Sequence, residues 1–419
     1  MLARMQRQRH RQQLLGTVLL LASLSAACVA QDVGTPQPVA IATTADAADP
    51  AASAAAEVAE AEVLDWNTLV TPQTLPRLPV QPHAADVQPG AVMAYVALGD
   101  SLTAGMQSAG LTAPEQYSAF PAVVARLTDI PFGIPATQLG CPVPMGGGLA
   151  EASCRRVLPG VRGSNFAVPG ARAEDLYTKR GADSDDDLTR RLYGLILGPQ
   201  LTQVEAALKS NPDYLTLWIG SNDALTAVTE GDPGRVTSPE EFERHYREIL
   251  SRLKPAGART LLLTVPDVTQ VPLMTPGPVL FGQGVAEANC QGSESRLPLT
   301  AFLLGRKLDC DAPYALTPAE AQTIQQTVEA YNASIYRLAA EFGHDVLAVQ
   351  PLMDSLEMHH AEDESSRTPF GRDMSADGVH LSSEGQRKLG YAVVNHVHRF
   401  WKVDLPAAAQ AELAAAGLV

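Results

Sequence analysis

Ser101 is the first residue whose type and position could carry chemistry. It lies in Gly99-Asp100-Ser101-Leu102-Thr103, which directly follows the apolar run 94–98. A serine at a tight turn after a buried strand presents its hydroxyl at the edge of a sheet, and nearby backbone N–H groups can face the same point. The segment therefore suits a nucleophile, although a serine in an ordinary turn would look the same.

A second candidate pair lies far along the chain, in Asp377-Gly378-Val379-His380-Leu381. A carboxylate three residues before a histidine can orient the imidazole, fix its tautomer and stabilise the imidazolium that forms when the ring accepts a serine proton. The alternative is that Asp377 and His380 only cap the helix that follows. The spacing alone leaves both interpretations open.

Two further segments offer hydrogen-bond donors for a developing oxyanion. Asn222 lies in Gly220-Ser221-Asn222-Asp223, after an apolar run, and its amide could donate to an oxyanion. Gly170 follows the weaker apolar run 165–168, and its backbone N–H can approach a ligand closely because glycine has no side chain. Each of these is a common loop residue when taken alone.

The elements that must position these residues alternate between strands and helices. Short apolar runs that end at Gly or Pro predict strands over 94–98, 214–219, 260–265 and 345–349, with 165–168 as a weaker candidate. Capping signals and periodicity predict helices over 187–210 (broken near 198–199), 238–253, 317–342 and 383–400. This alternation predicts an α/β domain whose parallel sheet is covered by helices on both faces, with its site at the carboxyl ends of the strands.

Together the four segments resemble the SGNH/GDSL hydrolase family, in the order Gly99-Asp100-Ser101-Leu102, Gly170, Gly220-Ser221-Asn222-Asp223 and Asp377-x-x-His380. The resemblance covers residues 94–400. It implies a three-layer α/β/α, flavodoxin-like fold with a parallel central sheet.

The resemblance also implies a mechanism. Ser101, Asp377 and His380 would form a catalytic triad, and the oxyanion hole would consist of the N–H groups of Ser101 and Gly170 with the Asn222 side chain. Ser101 would attack an ester carbonyl, and water activated by His380 would release the acid from the acyl-enzyme. The family's chemistry implies no metal or organic cofactor.

The N-terminus predicts export. Four arginines within residues 4–11 precede the apolar stretch 14–24, which is too short to span a membrane. The sequence Leu24-Ser25-Ala26-Ala27-Cys28 resembles a bacterial lipobox, which would make Cys28 the lipidated first residue of the mature protein. The alternative is an ordinary cleavage nearby, for instance after Ala30. We therefore expect a cell-envelope lipoprotein or a secreted protein.

Composition divides the chain into four parts. We expect a signal peptide over 1–28, an Ala/Pro-rich tether and linker over 29–90, the hydrolase domain over 91–405 and a C-terminal tail over 406–419.

The five cysteines agree with this division. With Cys28 set aside, four remain, and they allow three connectivities. We prefer the sequence-local pairing of Cys141 with Cys154 and Cys290 with Cys310, which an oxidising compartment would preserve.

The overall composition limits the classes of function. A hydrophobic content of 46% and a charged content of 18% suit a globular protein with a sizeable core. A formal charge of −15 disfavours nucleic acid as a partner, because phosphate binding needs a basic surface. The expected partners are a small-molecule or lipid ester and, through the N-terminal anchor, a membrane. The sequence does not determine the oligomeric state.

Three other features are open to more than one interpretation. Asp183, Asp185, Asp186 and Asp187 lack the glycine and glutamate of a calcium loop, so we interpret them as a solvated helix N-terminus. His359 and His360, with Glu362 and Asp363, lack zinc spacing and suit an exposed loop. The Pro/Gly-rich segment 271–313, which contains Val279-Leu280-Phe281 and Phe302-Leu303-Leu304, could wall the substrate cleft or form a structural loop held by cysteines.

We therefore expect a carboxylic ester hydrolase that acts on lipid or other acyl esters at the cell envelope. One alternative is deacetylation of envelope polysaccharide by the same triad. Another is a non-catalytic surface protein on a hydrolase scaffold, but a decayed enzyme would have little reason to keep all five site residues: Ser101, Gly170, Asn222, Asp377 and His380.

Overall fold

The computed structural model describes residues 94–137, 140–142, 154–157, 163–299, 307–360 and 368–418. The predicted signal peptide, the lipidation site Cys28 and the tether over 29–90 lie outside the described residues, as do Phe302-Leu303-Leu304, Glu362 and Asp363.

A parallel sheet forms the centre of the domain. The described strands are, in chain order, β1 Tyr95–Gly99, β2 Tyr214–Trp218, β3 Arg259–Leu263, β4 Met274–Pro276, β5 Arg296–Pro298 and β6 Asp345–Leu347. The central sheet has the order β1-β2-β3-β6, and each neighbouring pair is parallel. Residues of β1, β2 and β3 are buried almost throughout, as expected for a parallel sheet covered on both faces.

The weaker strand candidate also lies in the sheet. Asn165 forms a parallel bridge with Ala97 of β1, and the N–H groups of Phe166 and Val168 donate to carbonyls of β1 at 2.9 and 3.1 Å. This extended segment lies along the edge of β1 that β2 does not occupy. With it, the order of the sheet matches the flavodoxin-like arrangement, which confirms the predicted fold class.

Helices connect the strands and cover both faces of the sheet. In chain order the described α-helices are α1 Ser101–Ala104, α2 Ala113–Ser118, α3 Phe120–Thr128, α4 Asp175–Thr178, α5 Asp187–Ile196, α6 Gln203–Ser210, α7 Ser221–Glu230, α8 Pro239–Leu253, α9 Gly277–Gly282, α10 Pro318–Phe342, α11 Gln350–Met353, α12 Ser383–Trp401 and α13 Ala407–Ala415.

Local signals in the sequence explain several helix boundaries. Thr317 and Glu320 form a reciprocal capping box at the start of α10, as predicted. At α8, the Ser238 hydroxyl accepts the N–H of Glu241 at 3.3 Å, but no return bond from Glu241 to the Ser238 backbone forms. The helix predicted over 187–210 is two helices, α5 and α6, because Gly198 with φ of 82° and the following proline interrupt it.

Helices pack against both faces of the sheet through two hydrophobic cores, which gives the domain its three layers. On one face of the sheet, α3 packs against α12, and Phe120 meets Trp218 edge-to-face at 5.8 Å. On the other face, α8 packs against α10, and Phe242 stacks on Tyr331 at 4.1 Å. Ala97 and Leu98, which are neighbours in β1, belong to opposite layers because successive side chains of a strand alternate between the two faces.

The segment expected to be a C-terminal tail packs on the domain. Helix α13 buries Leu413 completely. The Glu412 carboxylate accepts two bonds from the Arg126 guanidinium at 2.8 Å and one from the Tyr391 hydroxyl at 2.7 Å. This contact joins α13 to both α3 and α12, so the packed structure extends beyond residue 405.

Both predicted disulfides are present. Cys141 is bonded to Cys154, and Cys290 is bonded to Cys310. The second disulfide closes the insertion after β3, in which α9 lies between the antiparallel strands β4 and β5.

Among the described residues, no helix combines the length and the apolar character that crossing a bilayer requires.

Candidate active site

The turn that carries Ser101 is fixed by its two preceding residues. Gly99 ends β1 with φ of 155°, and an added Cβ there would lie 2.3 Å from the Trp218 carbonyl oxygen, so only glycine fits. Asp100 caps α1 by accepting the Leu102 N–H at 2.9 Å. The chain can therefore leave the sheet abruptly and place Ser101 at the first position of a short helix.

His380 approaches Ser101 from the loop that precedes α12. Its Nε2 lies 2.8 Å from the Ser101 Oγ, and its Nδ1 lies 2.7 Å from the Asp377 Oδ2. Gly378 makes this tight loop possible with φ of 68°, because a Cβ would meet the Leu273 nitrogen and the Phe370 ring at 2.9 Å. The three residues therefore have the hydroxyl–imidazole–carboxylate geometry of a catalytic triad.

The Asp377 carboxylate is buried but well satisfied. Its Oδ1 accepts the backbone N–H groups of Val379 and His380 at 2.9 Å and the Ser375 hydroxyl at 3.0 Å, and its Oδ2 also accepts the Ala109 N–H at 2.6 Å. Burial alone would raise the pKa of Asp377, but the charge of His380, its side-chain hydrogen bond and the backbone N–H groups of His380 and Val379 lower it to about 2. The carboxylate is therefore ionised throughout the physiological range of pH.

Opposing effects act on His380. Burial lowers the pKa of the imidazole, but the charge of Asp377 and its hydrogen bond outweigh burial and raise this pKa above its ordinary value. Two more carboxyl groups, Asp100 and Glu115, act in the same direction. Burial raises the pKa of each of these carboxyl groups to about 7.

The predicted oxyanion donors have different positions. Asn222, in the first turn of α7, lines the same pocket as Ser101, and its side-chain amide donates to the Ala171 carbonyl at 3.0 Å. That bond orients the amide and uses one of its two N–H donors. Gly170 is exposed in a turn with φ of 79° and is not part of the pocket wall. The structure thus brings Asn222 together with Ser101 and His380, and it leaves Gly170 outside the wall.

A pocket that opens to solvent lies over Ser101 and His380. Its apolar lining comes from residues spread along the whole domain: Leu102, Leu225, Pro266, Val268, Val271, Pro272, Met353, Met358, Met374 and Val379. The insertion contributes Val271 and Pro272, whereas Val279-Leu280-Phe281 does not line the pocket. Only the start of the insertion therefore walls this cleft in the described residues.

The other candidate sites have structural explanations. Asp186 caps α5 by accepting the Thr189 N–H at 2.6 Å, in agreement with the predicted acidic helix N-terminus. His360 Nδ1 lies 3.2 Å from the Pro272 carbonyl oxygen. The described part of the chain contains no group of three or more side chains suited to holding a metal ion.

Several residues around the triad escaped the sequence analysis. Ala109 acts through its backbone N–H, which no residue type marks. Ser375, two residues before Asp377, belongs to no motif. Glu115 was detectable in principle, since Thr112 and Glu115 form a capping box at the start of α2, but that pattern indicates only a helix start.

Comparison with known proteins places the chain in a family. Residues 95–393 match the GDSL-like Lipase/Acylhydrolase family, and the chain belongs to it. The protein is therefore a GDSL-type ester hydrolase. No curated protein matches the chain.

The fold is similar to that of several solved structures. An acetyl-xylooligosaccharide esterase from Geobacillus stearothermophilus, studied as its R55A mutant, is 13% identical over 74% of this chain and 95% of its own, with a TM-score of 0.36. An extracellular lipase from Streptomyces rimosus is 16% identical over 73% of this chain and 99% of its own, with a TM-score of 0.33. An α/β hydrolase from the metagenome of Lake Arreo, Spain, is 16% identical over 73% and 94%, with a TM-score of 0.34.

We predict that Asp377→Asn lowers the pKa of His380 below 6.5, its ordinary value. The substitution removes the largest cause that raises this pKa and leaves burial, which lowers it. An NMR titration of the imidazole protons measures the change. Asp354→Asn is the matched control, because it removes a carboxylate of the same pocket that has no contact with His380. An unchanged His380 pKa in folded Asp377→Asn would contradict the proposed pairing.

Proposed function

We propose that this ester hydrolase acts on acyl esters of lipid type through an acyl-enzyme formed on Ser101. The observation that carries the proposal is the chain of two short contacts, Ser101 to His380 and His380 to Asp377, beside a largely apolar pocket. The family supports ester hydrolysis, and the pocket supports the choice of acyl group.

The geometry supports two half-reactions. In the first, the Ser101 oxygen bonds to the ester carbonyl carbon while its proton passes to His380 Nε2, and the imidazolium then protonates the departing alcohol. In the second, water gives its proton to His380 and its oxygen to the acyl carbon, and Ser101 regains a proton as the acid leaves. The ionised Asp377 stabilises the imidazolium in both half-reactions.

The oxyanion needs donors that face the carbonyl oxygen. Asn222 is suited to this role because it lines the pocket beside Ser101 and its amide is oriented by Ala171. We propose the N–H groups of Ser101 and Gly170 as the other donors. Gly170 lies exposed at the end of the extended segment beside β1, with open space around it, so its N–H can approach a ligand closely.

The lining of the pocket favours an acyl chain over an acetyl group. Met353, Met358 and Met374 line it together with valine, leucine and proline side chains. Unbranched methionine side chains adapt to flexible apolar ligands. An acetyl group would leave most of this surface uncovered, so deacetylation of polysaccharide fits the pocket less well.

We further propose that the enzyme works at the cell envelope, held by a lipid on Cys28. The lipobox-like sequence motivates this proposal, and the two disulfides support an oxidising compartment. Incorporation of a palmitate analogue by the full chain, and its loss in Cys28→Ser, measures the anchor. Equal labelling of both chains would contradict it.

We predict that a fluorophosphonate probe labels the enzyme at Ser101. Ser101→Ala removes the nucleophile, so labelling is lost and kcat/KM for p-nitrophenyl esters falls by about a thousandfold or more. Peptide mass mapping and initial rates measure both effects. Ser221→Ala removes another serine of the same pocket and still takes the label. Labelling that persists in Ser101→Ala would refute the assignment of the nucleophile.

We predict that kcat/KM rises with acyl chain length from acetate to at least hexanoate. Each buried methylene contributes about 0.8 kcal/mol, so the four extra methylenes of hexanoate, if fully buried, raise kcat/KM over acetate by about two hundredfold. Rates for a homologous series of p-nitrophenyl esters measure the preference. A profile that peaks at acetate would favour the deacetylase alternative.

The chain-length preference can be traced to the pocket with two matched variants of the insertion. Val271→Trp places a large ring in the wall and shifts the optimum to shorter chains. Ala288→Trp changes an exposed residue of the same insertion that does not line the pocket, and its profile stays that of the wild type. Equal profiles for both variants would exclude the start of the insertion as a specificity element.

A further inference from the structure

A four-residue turn joins the nucleophile segment to the loop that carries Asp377. Gln107 and Gly110 close the turn with two backbone hydrogen bonds, of 3.0 and 2.9 Å. Immediately before it, the Met106 N–H donates to the Ser101 carbonyl at 3.0 Å. The turn is therefore tied to the same short helix that presents the nucleophile.

The two central residues of this turn contact the Asp377 loop. The Ala109 N–H donates to the Asp377 Oδ2 at 2.6 Å, and the Ser108 N–H donates to the Ser375 Oγ at 2.9 Å. The Ser375 hydroxyl in turn donates to the Asp377 Oδ1 at 3.0 Å. Ser375 is 6% exposed, so water does not readily replace this bond. The turn therefore reaches both carboxylate oxygens, Oδ2 directly and Oδ1 through Ser375.

The backbone of the turn is held in an unfavourable conformation. Ser108 has φ of 49° and Ala109 has φ of 60°, a region that residues with a Cβ rarely adopt. Consecutive residues of this kind can turn successive N–H groups toward one anion or acceptor. Strain of this type persists where the surrounding structure imposes it, and here the imposing contacts are those with Ser375 and Asp377.

We propose that Ser375 and the Ser108–Ala109 turn are positioning residues that fix the orientation and basicity of the Asp377–His380 pair. This proposal rests on the proposed function, in which His380 is the base. A carboxylate that accepts fewer hydrogen bonds holds a proton more tightly and attracts the imidazolium more strongly. Loss of the Ser375 hydroxyl therefore has two effects: it frees Asp377 to rotate, and it makes His380 more basic.

The test compares Ser375→Ala with Ser375→Thr, which restores a hydroxyl. In Ser375→Ala we expect kcat for a soluble p-nitrophenyl ester to fall by about tenfold while KM changes less than about twofold, since substrate contacts are unaltered. We also expect the midpoint of the kcat/KM–pH profile to rise by about half a unit. Ser375→Thr restores both values toward those of the wild type.

The control variant is Ser210→Ala, which removes a hydroxyl that donates to the Ala206 carbonyl at the end of α6, outside the pocket. Its kcat and pH profile remain those of the wild type. If Ser375→Ala does not fold, Ser375→Cys is nearly isosteric and a weaker donor, and it shows the same changes in smaller degree. Unchanged kcat and pH midpoint in a folded Ser375 variant would overturn the proposal.

An NMR titration of His380 in the same variants separates this proposal from the proposed function. A wild type without ester turnover whose His380 pKa rises in Ser375→Ala would refute the function and support the positioning role. Full turnover with an identical His380 pKa in wild type and Ser375→Ala would support the function and refute the positioning role.

Discussion

A buried, ionised carboxylate beside an imidazole is the interaction on which the rest of the site depends. Burial by itself would raise the pKa of Asp377, and an uncharged Asp377 would not stabilise the imidazolium form of His380. The charge of His380 and several hydrogen bonds oppose burial, and three backbone N–H groups donate to the carboxylate. The loops around the pocket therefore bring several hydrogen-bond donors to one buried carboxylate, that of Asp377.

The central sheet positions part of the site, because the carboxyl ends of its parallel strands lie along one edge. Ser101 follows β1 after one residue, Asp100, and Asn222 lies in the first turn of α7, four residues after the end of β2. His380 comes from the loop before α12, in which the described residues form no strand, and glycine at 378 lets that loop fold back against Leu273. The sheet thus positions the proposed nucleophile and one proposed oxyanion donor, whereas a tight loop positions the proposed base.

Much of this arrangement could be predicted from the sequence, because residue types and hydrophobic periodicity can be read from it directly. The strands before Ser101 and Asn222 and the cap at Thr317 were detectable, and the cysteine pairing that the sequence favoured among three possibilities was confirmed. The Ala109 N–H was not, since every residue except proline has one and only the three-dimensional path of the chain aims it.

Other features escaped prediction for physical reasons of their own. Helix α13 was missed because an Ala-rich segment indicates neither packing nor a partner, and its docking depends on Arg126 and Tyr391. The sequence could not show that Asn222 lines the pocket and Gly170 does not, because only the three-dimensional path of the chain decides this. The separation of Ser101 from His380 by 279 residues also has a consequence for biosynthesis. Until His380 has been synthesised and the domain has folded, the Ser101 hydroxyl of a nascent chain lacks the imidazole that the proposed mechanism requires.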